Sequence, residues 1–183
     1  MPRLAPLTYE QMNEAQRRAA DEIAAGPRGR VMGPFTVLLR APEAANRFQK
    51  VGEYMRFVTK IPARLRMIAV LVTARAWTAQ YEWQVHVPQA LSAGVAQAAI
   101  DAIFERRRPA GLPPDEQIVY DFVSELQESG RVSDASFRAA LGRFGEQETI
   151  ELTMLCGYFT AVAMALNTFE VEAPDKTKPL LRD

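Results

Sequence analysis

An all-α fold is what this sequence predicts, and three observations predict it. Apolar residues recur at spacings of three and four along Glu43 to Val58, as Ala44, Ala45, Phe48, Val51, Tyr54, Met55 and Val58. That is the period of a helix with one buried face. Glycine and proline punctuate the chain between such stretches, at Gly26-Pro27, Gly33-Pro34, Gly94, Pro113-Pro114 and Gly130, where helices stop and turns begin. The strict alternation of a half-buried strand is nowhere convincing.

The elements follow in order. Thr8-Tyr9-Glu10-Gln11 fits a capping box, so a helix is expected to open there and run past Ile23 to Gly26-Pro27. Residues 26 to 36 read as loop. Pro42 suits the first turn of the helix that carries the Phe48 stripe. Pro62 opens another, whose Leu65, Ile68, Ala69, Leu71 and Val72 give a broad apolar surface. Helical character continues to His86, with a break near Trp77-Thr78 at which Thr78 is expected to cap a fresh start. Pro88 is expected to kink or end that helix. Ala98 to Arg107 forms a short helix ending in the Arg106-Arg107-Arg108 cations, which suit a helix C-terminus. Asp115 to Glu128 forms the next, stopped by Gly130. Ser133 caps Asp134 to Phe144, and Gly145 separates it from a last apolar helix, Glu146 to about Asn167.

With 183 residues, 48% hydrophobic and 24% charged, the chain reads as one globular domain over 1–183. Residues 1–32 form an N-terminal helix-and-loop extension, and 172–183 a polar, loose C-terminal tail. Lys+Arg and Asp+Glu both number 22, so the basic excess of a nucleic-acid binder is missing and no nucleic-acid partner is expected. No signal-peptide run opens the chain, and the most apolar stretch, Leu152 to Leu166, is short for a membrane span. A cytoplasmic location without a membrane partner is the expectation. One Cys and one His rule out a disulfide within the chain and a His₃ or Cys₄ metal site in it; an all-carboxylate site stays open, and no metal is assigned.

The histidine sits in Gln80-Tyr81-Glu82-Trp83-Gln84-Val85-His86. Glu82 and His86 stand four residues apart, on one helical face. A carboxylate beside an imidazole suits proton transfer near neutrality. Tyr81 and Trp83 flank the carboxylate and offer a dry wall. If the helix is continuous back to Arg75, that cation can hold a substrate carboxylate. Spacing alone leaves a plain structural contact open for the pair and core packing open for the two aromatics.

At this segment the chain resembles the carboxymuconolactone decarboxylase family, which includes the alkyl hydroperoxidase D proteins. The likeness runs through Arg64 to Leu71, Ala79 to His86, Pro88, Ala93-Gly94 and Ala99 to Ile103. It extends to Gly33-Pro34-Phe35, Leu38 to Pro42, Gly157-Tyr158-Phe159 and Leu166 to Phe169, and so covers most of residues 33 to 171. The resemblance implies a compact multi-helix domain that assembles as a trimer or hexamer. It assigns His86 the proton-transfer role, with Glu82 four residues before it as in the decarboxylase branch. The peroxidase branch has C-x-x-C-x-x-x-H here, and those two cysteine positions are Ala79 and Glu82. A glutamate common nineteen residues before the histidine is replaced by Met67.

The implied function is a cofactor-free lyase of the decarboxylase type, or an isomerase, acting on a small carboxylated lactone-like or enone-like substrate, in keeping with the breakdown of aromatic compounds. His86 moves the proton, Glu82 orients it, Tyr81 donates to a substrate oxygen, and Trp83 and Arg75 bind substrate. Two other readings stand beside it: a non-catalytic oligomeric scaffold, suggested by Met67, and a peroxidase using Cys156.

Overall fold

A computed structural model of the chain describes residues 2–179 and 181. The described residues are helical, with no strand among them. Two compact units are present. One holds the residues up to Thr59 together with Met164–Glu172, and the other holds Lys60–Ala163 and the segment from Ala173 onward.

In the first unit, Thr8 and Gln11 form the expected capping box, but around a single 3-10 turn, Tyr9–Gln11. The helix proper, α1 (Glu14–Ala25), starts later under a second box in which Asn13 and Gln16 exchange side-chain and backbone hydrogen bonds of 2.9 and 3.0 Å. Asn13 wins because its side-chain oxygen reaches the backbone N–H of Gln16, three residues on. The short α2 (Phe35–Leu38) interrupts the Gly-Pro loop, and α3 (Pro42–Glu53) runs on into a π-turn at Tyr54–Val58. α1 packs on α3. Ile23, Phe35, Leu39 and Ala45 are buried between these elements.

The second unit is built around α4 (Ala63–Ala76). Leu65, Ile68, Val70, Leu71 and Ala74 are at most 1% exposed, so α4 is covered on all sides. It packs against α5 (Gln80–Ser92), α6 (Gln97–Phe104) and α7 (Pro114–Ser129). The break before α5 is where it was expected, but Thr78 is not its cap. Thr78 takes a left-handed φ of 47°, and Ala79 holds the N-cap position without a side-chain bond. Thr78 Oγ1 instead accepts from Arg106 Nη2 at 3.2 Å. Pro88 neither ends nor replaces the helix; α5 carries it inside and continues to Ser92.

α8 (Asp134–Thr168) is two helices joined at Gly145, whose φ of 74° suits only glycine without strain. By length and composition it is the one described helix able to cross a membrane, longer than the sequence expectation allowed. Leu152, Leu155, Phe159 and Val162 along it are at most 5% exposed, as in the core helix of a folded domain.

Polar side chains lock this unit together. The Arg64 guanidinium pairs with the buried Glu116 and, at 3.0 Å, with Asp115. Trp77 Nε1 donates to Gln127 Oε1 at 3.1 Å, and Gln127 Nε2 donates to the hydroxyls of Thr73 (3.3 Å) and Thr160 (3.2 Å). One amide thereby ties α4, α7 and α8. The tail that composition marks as loose carries hydrogen bonds to α5. Gln84 Nε2 donates to the Asp175 carbonyl at 2.8 Å while its Oε1 accepts from the Asp175 N–H at 3.0 Å. Gln80 does the same across Pro179 and Leu181, at 3.1 and 2.7 Å.

Glu116 is 3% exposed, so removing its partner strands a charge in the interior. Arg64→Met is expected to cost about 3 kcal/mol of stability, read from the urea midpoint; an unchanged midpoint would deny the pair that role.

Candidate functional site

α5 and its N-cap turn five side chains inward at helical spacing: Ala79, Glu82, Trp83, His86 and Ala90, all at most 7% exposed. Three of the five are apolar. Glu82 and His86 therefore sit on a core-facing stripe, where a polar group is costly unless it is paired or neutral. The structure brings the predicted carboxyl and imidazole onto one buried face.

Their immediate setting differs from the expected one. The His86 ring stands edge-on to Phe159 of α8, with centroids 5.2 Å apart and planes at 84°. Phe159 is itself edge-on to Tyr158 at 5.3 Å. Neither carboxyl oxygen of Glu82 has a hydrogen-bond partner, so no such bond orients His86 from Glu82. Burial pushes the Glu82 carboxyl well above the usual carboxylate range. A carboxylic acid at this position keeps its proton where an exposed one has lost it. The sequence spacing placed the pair but gave no sign of this desolvation, nor of Phe159 as the wall behind the imidazole.

The other predicted residues fall elsewhere. The helix is not continuous between Arg75 and His86, which was the condition for Arg75 to join the stripe. Arg75 belongs to α4, is 7% exposed, and donates from Nε to the carbonyl of Phe104 at 2.7 Å, the last residue of α6. It serves as a cation at a helix C-terminus. Tyr81 is half-buried and lies about 100° round α5 from Glu82, on the side away from His86. Trp83 packs its ring on Phe104, centroids 5.7 Å apart. Met67 is buried on α4.

The arrangement can hold and release a proton, and it cannot supply a thiolate. Ala79 and Glu82 occupy the two positions where a redox pair would stand. Cys156 is 2% exposed, and burial pushes its thiol up to about 12. At neutral pH such a group is an inert thiol. No cluster of three or more His, Cys, Asp or Glu side chains suited to a metal ion occurs among the described residues.

Comparisons agree with this picture at the level of family and fold. Residues 42–119 match the model of the carboxymuconolactone decarboxylase family. No curated relative matches the chain. A solved structure of an uncharacterized peroxidase-related protein with an alkylhydroperoxidase AhpD core, from Ralstonia eutropha JMP134, is similar over 96% of this chain and 93% of its own. Its TM-score is 0.77 and its identity 17%. A protein of unknown function from Agrobacterium tumefaciens, described as a putative antioxidant defence protein AhpD, is similar over 76% of this chain and 96% of its own, with a TM-score of 0.63 and 15% identity. At such identities the two structures speak for the fold. The matched region contains α4, α5 and α6, and with them Glu82 and His86. Residues 42–119 are thus similar to the carboxymuconolactone decarboxylase family, and the all-helical fold is similar to that of the two AhpD-like structures.

Proposed function

We propose that the protein is a cofactor-free acid–base catalyst of the lyase or isomerase kind, acting on a small carboxylated lactone or enone. The observation that carries the reading is the buried, unpartnered Glu82, whose carboxyl burial raises well above the usual range, one helical turn from His86. In a decarboxylation, the bond from carbon to carboxylate breaks, carbon dioxide leaves, and its electron pair passes into the conjugated carbonyl. The carbon or oxygen that gains those electrons then takes up one proton. Glu82 is the donor in this reading, with His86 restoring its proton, a division that differs from Glu82 as a mere orienting group. An isomerisation uses the same two groups to remove a proton at one carbon and return it at another. Because Glu82 and His86 are at most 6% exposed, substrate reaches them through local opening. The alternative of antioxidant chemistry, suggested by the names of the two similar structures, lacks a reactive thiol here: Cys156 is buried with its thiol raised to about 12.

A homo-oligomer, trimer or hexamer, is part of the same proposal. Its support is a stripe on α8 that leaves Ile150 60% and Met154 46% exposed, with Gly157 open one turn further on. Exposed apolar side chains lined up on one helix face fit a protein–protein contact.

Three outcomes are expected. Glu82→Gln and His86→Gln should each lower turnover of carboxylated lactones and enones by about 10²–10⁴-fold. Carbon dioxide release and deuterium uptake from D₂O are the readouts, and surviving turnover in both variants sinks the mechanism. The second concerns pH. The native state holds the Glu82 proton above the ordinary carboxyl value of about 4.5, whereas the unfolded state releases it. Stability therefore falls as pH rises from that value towards the raised native one. Glu82→Gln should be more stable than the parent at pH 7, with the gap closing below about pH 4.5, when urea midpoints are compared across pH. Thirdly, Ile150→Glu should reduce the mass measured by light scattering; an unchanged mass would move the interface elsewhere.

A further inference from the structure

α5 has a second stripe, on the face turned away from Glu82 and His86. Val87 and Leu91 line one side of a cavity of ≈ 470 Å³, and Phe104 and Asp101 of α6 line another. Trp83 forms its floor against Phe104. The remaining wall is the C-terminal strap, which carries Asp175 and Lys178. The strap holds its place because Gln80 and Gln84 bond its backbone at both ends. A volume of this size suits one small organic molecule. Glu82 and His86 are not among the lining residues, so the cavity is distinct from the proton-transfer pair.

The charges on the lining select the ligand. Asp175 accepts from the Thr177 hydroxyl at 2.6 Å and the Thr177 N–H at 2.8 Å. Those bonds, and to a lesser degree the Lys178 charge, hold its carboxyl below the usual range. Lys178 and Asp175 thus offset one another on the strap. Asp101, across the cavity, accepts from the uncharged Gln97 amide at 2.7 Å. Among the described lining residues it is the charge left over. A carboxylate ligand meets the net negative charge that Asp101 leaves on the lining, and a neutral ligand gains at most a hydrogen bond from it. A cation gains the Asp101 charge and the neighbourhood of two aromatic lining residues, Trp83 and Phe104.

We propose that this cavity binds an amphiphilic amine, its flat apolar body lying on Trp83 and Phe104 and its ammonium directed at Asp101.

The chain has two tryptophans, so protein labelled with ¹⁵N at the indole shows two side-chain N–H signals, assigned with a Trp77→Phe variant. 2-Phenylethylamine is the probe, compared with 3-phenylpropionate and 2-phenylethanol. The Trp83 signal should move saturably with the amine, while the Trp77 signal, whose donor is held by Gln127, stays. Asp101→Asn should weaken the amine about fivefold and Lys178→Ala should tighten it about twofold, opposite signs that a purely apolar site would not give. His86→Gln should leave the binding unchanged. Phenylpropionate or phenylethanol binding as tightly as the amine, no saturable shift, or Asp101→Asn without effect would each overturn the proposal.

Discussion

The second unit depends on enclosing α4. A helix with apolar side chains on every face cannot lie on a surface, because each apolar face left to water forfeits the free energy of burial, roughly 25 cal/mol per Å². α5, α6 and α7 supply that cover. The inward stripe of α5 is set by this requirement rather than by chemistry: Ala79, Trp83 and Ala90 belong against the core, and Glu82 and His86 share their spacing. The fold brings a titratable pair indoors as a by-product of covering its central helix.

Keeping that pair indoors has a physical cost which the surroundings do not repay. A buried carboxyl without a hydrogen-bond partner is disfavoured by a few kcal/mol relative to an apolar side chain. Elsewhere in the same unit, Gln127 serves Trp77, Thr73 and Thr160, and Glu116 has Arg64. Glu82 is the contrast. Other buried atoms of this unit, Arg66 Nε and His86 Nδ1 among them, also lack a hydrogen bond, but Glu82 has both carboxyl oxygens in that position, the kind of cost familiar from sites that act on a ligand.

The helical class, most element boundaries and the Glu82–His86 face were legible in the sequence, because periodicity, prolines and glycines report local structure. What stayed hidden depends on distant partners. Arg75 looks like a free cation at helical distance from His86 until the chain turns at Thr78 and delivers it to Phe104. Thr78 looks like an N-cap, yet its left-handed backbone places it in the turn before Ala79. Pro88 reads as a stop, because a proline removes one backbone bond and crowds the preceding turn, yet α5 carries it inside and runs on to Ser92. Phe159 and Gln127 lie far along the chain from the residues they touch, and no local signal announces them. Gln80 and Gln84 were visible at a spacing of four, but the strap they hold was not.

That strap is grasped by its main chain. Each glutamine amide offers one donor and one acceptor, and both go to peptide groups of the tail. These four bonds reach only main-chain atoms of the described segment. Substitutions that leave the turn at Lys176 and Thr177 intact are therefore compatible with the grip, whereas inserting or deleting a residue throws one of the two amides out of step. In this part of the chain, evolution is free to change the letters but held to the count.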